Sequence, residues 1–204
     1  MTTEAWAFIS GGFFYILFGA YFLYEFINKK MKTKKNENIE WLPLVDTKGN
    51  VIGQASRDEC HTNKTLLHPV VHLHIVNNNQ QLYLQKRPLH KLVQPGKWDT
   101  AMGGHISFNE TIEQALERET REELGINVTN PRFLFKYVWE SNIETELVFC
   151  FLAIHNGTII PNKNELDGGK FWNITDIEKK LGINIFTPNF EHEFVKIKPI
   201  IKKL

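Results

Sequence analysis

The chain has 204 residues, of which 42% are hydrophobic, and this is enough to bury one core of ordinary domain size. Because 24 Lys and Arg offset 23 Asp and Glu, the formal net charge is +1, which argues against nucleic acid or another highly charged macromolecule as a partner. The two cysteines, Cys60 and Cys150, lie far apart, so neither a disulfide scaffold nor a structural zinc knuckle is indicated and a reducing compartment is expected.

The N-terminal segment differs from the rest of the chain. Residues 5–24 contain no charged side chain and have the length needed to cross a bilayer as one helix. Glu4 is the only charged residue before them, whereas five lysines follow them: Lys29, Lys30, Lys32, Lys34 and Lys35. By the positive-inside rule, this asymmetry leaves the rest of the chain in the cytosol. We therefore predict a membrane anchor with a basic flank over residues 1–35 and a cytoplasmic catalytic domain over residues 36–204.

Two alternatives to a spanning anchor stay open for this segment. An apolar helix of this kind can lie in the membrane interface instead of crossing the bilayer. Alternatively, the start codon is assigned too far upstream, because Met31 opens a plausible soluble chain that begins MKTKKNENIEWLP. A cleaved signal peptide is disfavoured, since no positive charge precedes the apolar run and no small-residue cleavage site follows it.

Short strands and turns dominate the chain from Ile39 onward. The sequence WLPLVDTKGNVIG predicts one hairpin, and HPVVHLHIV followed by NNNQQ and LYLQKR predicts a second. In the first strand of the second hairpin, alternation gives an apolar face and a face that carries His68, His72 and His74. Three histidines on one face are candidate metal ligands, although each singly is more often a half-buried polar residue with a hydrogen-bond partner.

The C-terminal half adds further strands and helices. RFLFKYVWE, TELVFCFLAIH and GKFWNIT are rich in β-branched and aromatic residues and predict strands, whereas DIEKKLG and NFEHEFVKIKPIIKKL predict helices. Because strands and helices interleave without a regular βαβ repeat, we predict an α+β fold in which helices flank a mixed sheet.

The clearest helix is predicted over residues 109–124. Ser107 and Glu110 have the spacing of an N-terminal capping box, and Gly125 provides a left-handed stop. Its apolar stripe begins with Ile112, Ala115 and Leu116.

Carboxylates interrupt this apolar stripe. At about 100° per residue, Glu119 and Glu123 fall within the stripe, and Glu122 lies at its margin. A carboxylate directed toward a protein interior costs several kcal/mol unless a positive charge neutralises it. Hard oxygen ligands at positions i, i+3 and i+4 suit Mg²⁺ or Mn²⁺. The alternative is a solvated acidic face that pairs with Arg118 and Arg121.

This helix and its flanks resemble the signature of the Nudix family, G-x5-E-x7-R-E-U-x-E-E-x-G-U, in which U is a bulky aliphatic residue. The match holds at every spacing, through Gly104, Glu110, Arg118, Glu119, Glu122, Glu123, Gly125 and Ile126. Thr120 stands where U is expected, and we interpret this departure as a difference in packing. The resemblance implies a Nudix-type α/β/α sandwich and cleavage, dependent on Mg²⁺ or Mn²⁺, of a diphosphate linked to another group, X.

The same resemblance implies roles for the residues of the signature. It makes Glu119, Glu122 and Glu123 metal ligands and Glu110 an ancillary acid. Arg118 would be the partner that orients a carboxylate. A glutamate of this cluster or of a nearby loop would accept the proton of the attacking water.

A second set of segments is similar, in order and spacing, to isopentenyl diphosphate isomerases, which share the Nudix fold. These segments are ECHTNKTLLH, LQKRPLHKLVQPGKWD, GGH and ETE, and together with the signature they cover most of residues 44–180. The resemblance implies a second divalent metal site formed by His61, His68, His105, Glu144 and Glu146. It also makes Arg87 and Lys91 candidates to bind the diphosphate, beside Gly104 of the signature. The alternative is that the three histidines are core residues with hydrogen-bond partners.

Two departures from the isomerases favour hydrolysis. In that family a cysteine directly before the Gly-His pair takes part in protonation of the alkene, whereas this chain has Gly103 there. The isomerases also commonly have an eroded R-E-x-x-E-E segment, whereas every carboxylate that hydrolysis requires is present here. We therefore predict a metal-dependent diphosphohydrolase that acts on a small-molecule diphosphate. Isomerisation and a non-catalytic module that binds metal or diphosphate are the alternatives.

Three further residues carry weaker signals. Trp98 can stack on a base or an isoprenoid, but a tryptophan between a turn and a strand favours packing. Glu165 and Glu193 are candidate catalytic bases on segments that we expect to be exposed. The sequence leaves group X open among nucleotides, nucleotide sugars, dinucleotides and isoprenyl chains, and it leaves a homodimer open as well.

Overall fold

The computed structural model describes residues 18–30, 39–91 and 93–204. The chain divides into two units, Met1–Glu40 and Trp41–Leu204, and every candidate site residue named above lies in the second. In the first unit, residues 18–30 form a helix, α1. The predicted anchor lies partly outside the described residues, which do not include residues 5–17 and 31–35. In the part of the chain that is described, no helix has both the length and the apolar character needed to span a bilayer.

A hairpin and a larger mixed sheet form the second unit. Strands β1 (Trp41–Val45) and β2 (Val51–Ser56) pair with each other, as the sequence predicted. The larger sheet has the order β5-β4-β3-β8-β7, while β6 pairs with β3 and β9 pairs with β4. Its strands are β3 (Leu67–Val76), β4 (Leu82–Lys86), β5 (Trp98–Asp99), β6 (Met102–His105), β7 (Arg132–Glu140), β8 (Thr145–Ile154) and β9 (Gly169–Trp172). Strands β3 and β8 are parallel and the other pairs are antiparallel, so the predicted mixed sheet is confirmed.

The helices of this unit cover both faces of the larger sheet. They are α2 (Arg57–Cys60), α3 (Ile112–Leu124), α4 (Ile174–Glu178) and α5 (Pro188–Ile201). On one face, Ala115 and Leu116 of α3 join a core with the apolar side chains of β3 and β8. On the other face, Phe190 and Phe194 of α5 pack with Leu84 and with apolar residues of β4 and β8. The layers therefore follow the helix, sheet, helix order of the predicted sandwich.

Strand β3 lies at the centre and directs its side chains to two different environments. Val71, Leu73 and Ile75 enter the core beneath α3, as predicted. His68, His72 and His74 alternate with them and face the side that α5 covers. This strand therefore separates an apolar layer from a polar one.

Helix α3 begins later than the sequence predicted. Its N-cap is Thr111, whose hydroxyl accepts a hydrogen bond from the Gln114 main-chain N–H, while the Gln114 side chain accepts one from the Thr111 N–H. Glu110 does accept a hydrogen bond from the Ser107 main-chain N–H, at 3.0 Å, but the prediction that this pair caps α3 is wrong, because Asn109 has a φ of 69° and turns the chain before the helix begins. The predicted stop at Gly125 is confirmed, with a φ of 66°.

We predict that Thr111→Ala lowers the free energy of unfolding by about 1 kcal/mol, because it leaves a main-chain N–H of the first turn of α3 without its acceptor. Ser107→Ala is the matched control and should have a smaller effect, since Ser107 is not the cap. Urea denaturation of the full chain measures both changes. An equal or larger loss for Ser107→Ala would contradict this assignment of the cap.

Candidate active site

The three glutamates predicted as ligands on α3 differ in their surroundings. Glu119 lies against Gly104 of β6, where a Cβ atom would come within 2.2 Å of the Glu119 Cδ. A larger residue at position 104 would therefore displace this carboxylate from its place. Glu123 is half-buried, whereas Glu122 is exposed. This difference agrees with the sequence prediction, in which Glu119 and Glu123 lie within the apolar stripe of the helix and Glu122 lies at its margin.

Arg118 connects these carboxylates to the surrounding chain. Its Nε and Nη2 donate to the two oxygens of Glu110, both at 2.8 Å. Its Nη1 donates to Glu119 Oε1 at 2.8 Å, and its Nη2 also donates to the His105 carbonyl at 3.0 Å. The hydrogen bond from Arg118 holds the pKa of Glu110 below its usual range. Arg118 therefore holds the Glu119 carboxylate in place and ties α3 to the turn before it and to β6.

Glu123 carries the clearest electrostatic signal on α3. Burial, and then the charge of Glu119, raise its pKa to about 8. Its Oε2 is shielded from solvent and has no hydrogen-bond partner among the described residues. Lys91 and Arg87 oppose this shift, so both cations act on the Glu123 carboxylate. A divalent cation would supply the partner that this oxygen lacks.

The five residues predicted for the second metal site come together. One ring nitrogen each of His61, His68 and His105 lies within 4.8 Å of the others, and His68, Glu144 and Glu146 meet the same limit. We call these five residues the His/Glu cluster. The Nε2 atoms of His61 and His105 are 3.0 Å apart, and His61 Nδ1 is 3.4 Å from Glu144 Oε2.

Strand pairing explains why residues so far apart in sequence form the His/Glu cluster. The parallel pairing of β3 with β8 places His68 beside Glu146. The antiparallel pairing of β3 with β6 places His105 beside Val70, two residues along from His68. His61 follows the short helix α2, which ends directly before it.

The electrostatics of the His/Glu cluster fit a bound cation. His68 is fully buried, neither of its ring nitrogens has a hydrogen-bond partner among the described residues, and burial lowers its pKa to about 4. Burial also raises the pKa of Glu144, and burial followed by the charge of Glu144 raises that of Glu146 to about 7. Imidazole nitrogens and carboxylate oxygens are costly to bury, but together they are a suitable ligand set for Mn²⁺, Zn²⁺ or Mg²⁺.

The cations predicted to bind diphosphate make contacts within the protein. Arg87 donates from Nε and Nη2 to the Val93 carbonyl, at 3.1 and 2.9 Å, and its Nη1 lies 3.2 Å from Asp99 Oδ2. Lys91 donates to Glu165 Oε2 at 2.8 Å. The charge of Arg87 lowers the pKa values of Glu123 on α3 and of Glu144 and Glu146 in the His/Glu cluster. It therefore acts on both groups of candidate metal ligands.

The residues with weaker sequence signals have different surroundings. Trp98 packs edge-to-face against Trp172, with ring centroids 5.1 Å apart, which agrees with the packing role. Glu165 is 45% exposed and raises the pKa of Glu123, so it remains near the candidate site. The expectation that Glu193 is exposed is wrong, because its side chain is fully buried between α5 and β3. Thr120, the departure from the signature, is buried and donates to the Leu116 carbonyl.

A buried network around Glu193 was not predicted. Glu193 Oε1 lies 2.7 Å from His72 Nδ1 and accepts from the Tyr137 hydroxyl at 2.6 Å, while its Oε2 lies 2.7 Å from His74 Nε2. Thr100 bonds the remaining nitrogen of His74. His74, Glu193 and Cys150 are also close enough to share a metal ion, but the atoms of His74 and Glu193 are already used in hydrogen bonds. The alternation of β3 was the only sequence signal for this network, since it placed His72 and His74 on one face.

Comparison with known proteins agrees with this fold. The NUDIX domain family matches residues 66–193. An isopentenyl-diphosphate Delta-isomerase of Photorhabdus laumondii is 30% identical over 167 residues, which cover 78% of this chain and 95% of that protein. An uncharacterized Nudix hydrolase of Nostoc sp. is 36% identical over 100 residues, covering 48% of this chain and 59% of its own length.

Solved structures share the fold at lower identity. A protein from Deinococcus radiodurans aligns with a TM-score of 0.65 at 22% identity, covering 77% of this chain and 98% of its own. A MutT protein from Methanosarcina mazei aligns with a TM-score of 0.57 at 20% identity, covering 66% and 94%. Because the domain match spans more than half of the chain, and the Photorhabdus protein is matched over nearly its whole length, the chain belongs to the Nudix family, in a subgroup similar to isopentenyl-diphosphate isomerases.

Proposed function

We propose that this chain is a divalent-metal-dependent diphosphohydrolase, which cleaves the phosphoanhydride bond of a diphosphate linked to a group X. The observation that carries the proposal is the environment of the Glu123 carboxyl group. Its pKa is raised to about 8 by burial and by Glu119, and its Oε2 has no partner among the described residues. At neutral pH a carboxyl group in this state becomes an ionised ligand only beside a cation, and the family to which the chain belongs uses divalent metals.

The residues of the site support distinct roles in such a reaction. Glu119 and Glu123 would hold the metal, and Glu122 can join them from the exposed margin of α3. Arg118 keeps the Glu119 carboxylate oriented. When bound, the metal supplies neutralisation of the phosphate charge and a water that loses its proton more easily.

Lys91, Arg87 and Glu165 surround Glu123 and complete the proposed site. Lys91 and Arg87 bring positive charge to the side on which the diphosphate would bind, and Arg87 retains N–H groups beyond those it uses in the protein. Glu165 is exposed enough to exchange protons with water and is held by Lys91. It is therefore a candidate, with the glutamates of α3, for the group that accepts the proton of the attacking water.

Isomerisation is the second candidate function, because the His/Glu cluster assembles and a relative with this name is 30% identical. Isomerisation needs an acid that protonates the alkene, and this chain has Gly103 at the position of the isomerase cysteine. Neither cysteine of the chain can replace it. Both are fully buried, and burial raises the pKa of Cys60 to about 11 and that of Cys150 further still. Hydrolysis is therefore favoured over isomerisation.

We predict that Glu123→Gln lowers kcat for hydrolysis by at least about 100-fold, because it removes a negative ligand oxygen worth several kcal/mol to the transition state. Glu117→Gln is the matched control. It changes a glutamate of the same helix that is exposed and paired with Arg121, so activity should stay near that of the wild type. The assay incubates the full chain with Mg²⁺ and nucleotide, sugar-nucleotide or isoprenyl diphosphates, and phosphorus NMR follows the products.

Three outcomes of this assay separate the candidate functions. Cleavage that Glu123→Gln abolishes supports the hydrolase. Conversion of isopentenyl diphosphate without loss of phosphate, seen by proton NMR, would replace it with the isomerase. Binding of a diphosphate without any product would leave a non-catalytic module.

We also propose that the His/Glu cluster binds a second divalent metal. Adding Mn²⁺ should raise the stability of the full chain, by about 2.7 kcal/mol per site at a hundredfold excess over the dissociation constant. His68→Gln should remove the contribution of this cluster, whereas His155→Gln, beyond the opposite end of β8, should keep it.

The stabilisation by Mn²⁺ should also fall as the pH is lowered through about 7, because Glu146 then takes up a proton. Thermal denaturation measures these effects, and an unchanged response in His68→Gln would contradict the assignment.

A membrane anchor over residues 5–24 remains a separate proposal. Its support is the uncharged run followed by five lysines. Carbonate extraction of membranes should leave the full chain in the membrane fraction and release a chain that begins at Met31. Release of both chains would refute the proposal.

A further inference from the structure

Strand β7 forms one edge of the larger sheet. It pairs with β8 on one side, and no other strand of the described residues pairs with it on the other side. Outside the ladder with β8, residues 132–140 make no main-chain hydrogen bond to another described segment. The strand has nine residues and contains neither proline nor glycine. An edge of this length accepts a further strand unless the protein blunts it.

Two features blunt only part of this edge. A bulge between Phe133 and Phe135 shifts the register with β8, so the first part of β7 is irregular. Lys136 places a charge near the middle of the strand, and its Nζ donates to the Lys48 carbonyl. From residue 135 to residue 140 the register with β8 is regular. This part of the edge can accept a strand that sets a negative charge opposite Lys136.

The side chains of the regular part differ between its two faces. Lys136, Val138 and Glu140 are exposed. They lie on the α3 side of the sheet, because the β8 partners of Lys136 and Val138 belong to the core beneath α3. Tyr137 and Trp139 are half-buried on the other side, where both rings contact α5. The exposed face therefore presents a cation, an apolar side chain and an anion in order along the strand.

This order is complementary to itself. In an antiparallel pair of two copies with a twofold axis at Val138, Lys136 of each copy lies opposite Glu140 of the other, and Tyr137 lies opposite Trp139. Every contact then occurs twice. A shift of the axis by one residue in either direction sets a charged side chain opposite Val138, and an axis at Lys136 sets the two lysines opposite each other. The charges therefore select the register centred on Val138.

We propose that two copies of this chain associate through residues 136–140 of β7, so that their larger sheets form one continuous sheet. Main-chain hydrogen bonds supply affinity in strand addition, and opposite-charge and aromatic cross-strand pairs add to it. A second copy is the occupant that the edge fits, because its charge pattern matches its own reverse. The interface would lie beside the His/Glu cluster, since Trp139 is the cross-strand partner of Glu146. The proposal does not depend on which reaction the site catalyses.

The first test measures the dissociation constant of the dimer by sedimentation equilibrium of the full chain in a nonionic detergent. Glu140→Lys should raise this constant by about 10-fold or more, because two attractive cross-strand pairs become repulsive. Adding Lys136→Glu exchanges the two charges and should return the constant to within about 3-fold of the wild type. Glu113→Lys is the matched control: it makes the same charge change at an exposed position of α3 and should have an effect below about 2-fold.

The second test locates the twofold axis by cross-linking. In Val138→Cys the two new thiols face each other across the axis, and diamide oxidises them to one disulfide by taking up their two hydrogens. The native thiols of Cys60 and Cys150 are fully buried and do not compete. Val51→Cys is the control, because Val51 is a 62% exposed valine on another strand, β2. Non-reducing electrophoresis should show a covalent dimer for Val138→Cys and little for Val51→Cys.

The apolar N-terminal segment is the same in every variant, so association through that segment cannot produce these differences. The proposal is overturned by the mass of a monomer at every concentration, or by a dissociation constant that Glu140→Lys leaves unchanged. Failure of the double variant to associate better than Glu140→Lys would remove the register, as would equal cross-linking at positions 51 and 138. Circular dichroism verifies that each variant is folded, and the cross-linking test stands by itself if Glu140→Lys is not.

Discussion

The arrangement of the site depends on the guanidinium of Arg118. It binds Glu110 in the turn before α3, Glu119 on α3 and the His105 carbonyl at the end of β6. A planar group with five donors can hold three partners in fixed directions, which the ammonium of a lysine cannot do. One side chain therefore connects the acidic helix α3 to β6, the strand that carries His105 of the His/Glu cluster.

Strand β6 lies between these two clusters, and its two glycines allow side chains to approach it from both sides. Glu119 lies against Gly104 on one side, and His72 lies beside Gly103 on the other. The protein thus gathers carboxylates and imidazoles where water has limited access, and burial raises the pKa values of Glu123 and Glu146 to about 8 and about 7. Such groups destabilise a fold that has no cations to bind, so their retention is consistent with a metal-dependent function.

The proposed hydrolase shares a framework with the isomerases, although the Photorhabdus relative is only 30% identical to it. The His/Glu cluster assembles through strand pairings that belong to the fold itself. One difference lies in β6, where this chain has Gly103 at the position of the isomerase cysteine.

The sequence by itself determined the elements whose signals are local. Three such signals were the alternation of side chains in β3, the helix stop at Gly125 and the spacing of the glutamates in α3. Each depends only on residues that are close together in the sequence. The family resemblance further predicted which five residues form the His/Glu cluster. Only the tertiary structure decided that Thr111 and not Ser107 caps α3, because Asn109 adopts a φ of 69° and turns the chain before the helix begins. It also decided that Glu193 is buried, since its partners His72 and His74 lie 121 and 119 residues away in the chain. Burial of a charge depends on partners brought near by folding, and no periodicity within α5 can reveal a partner on another strand.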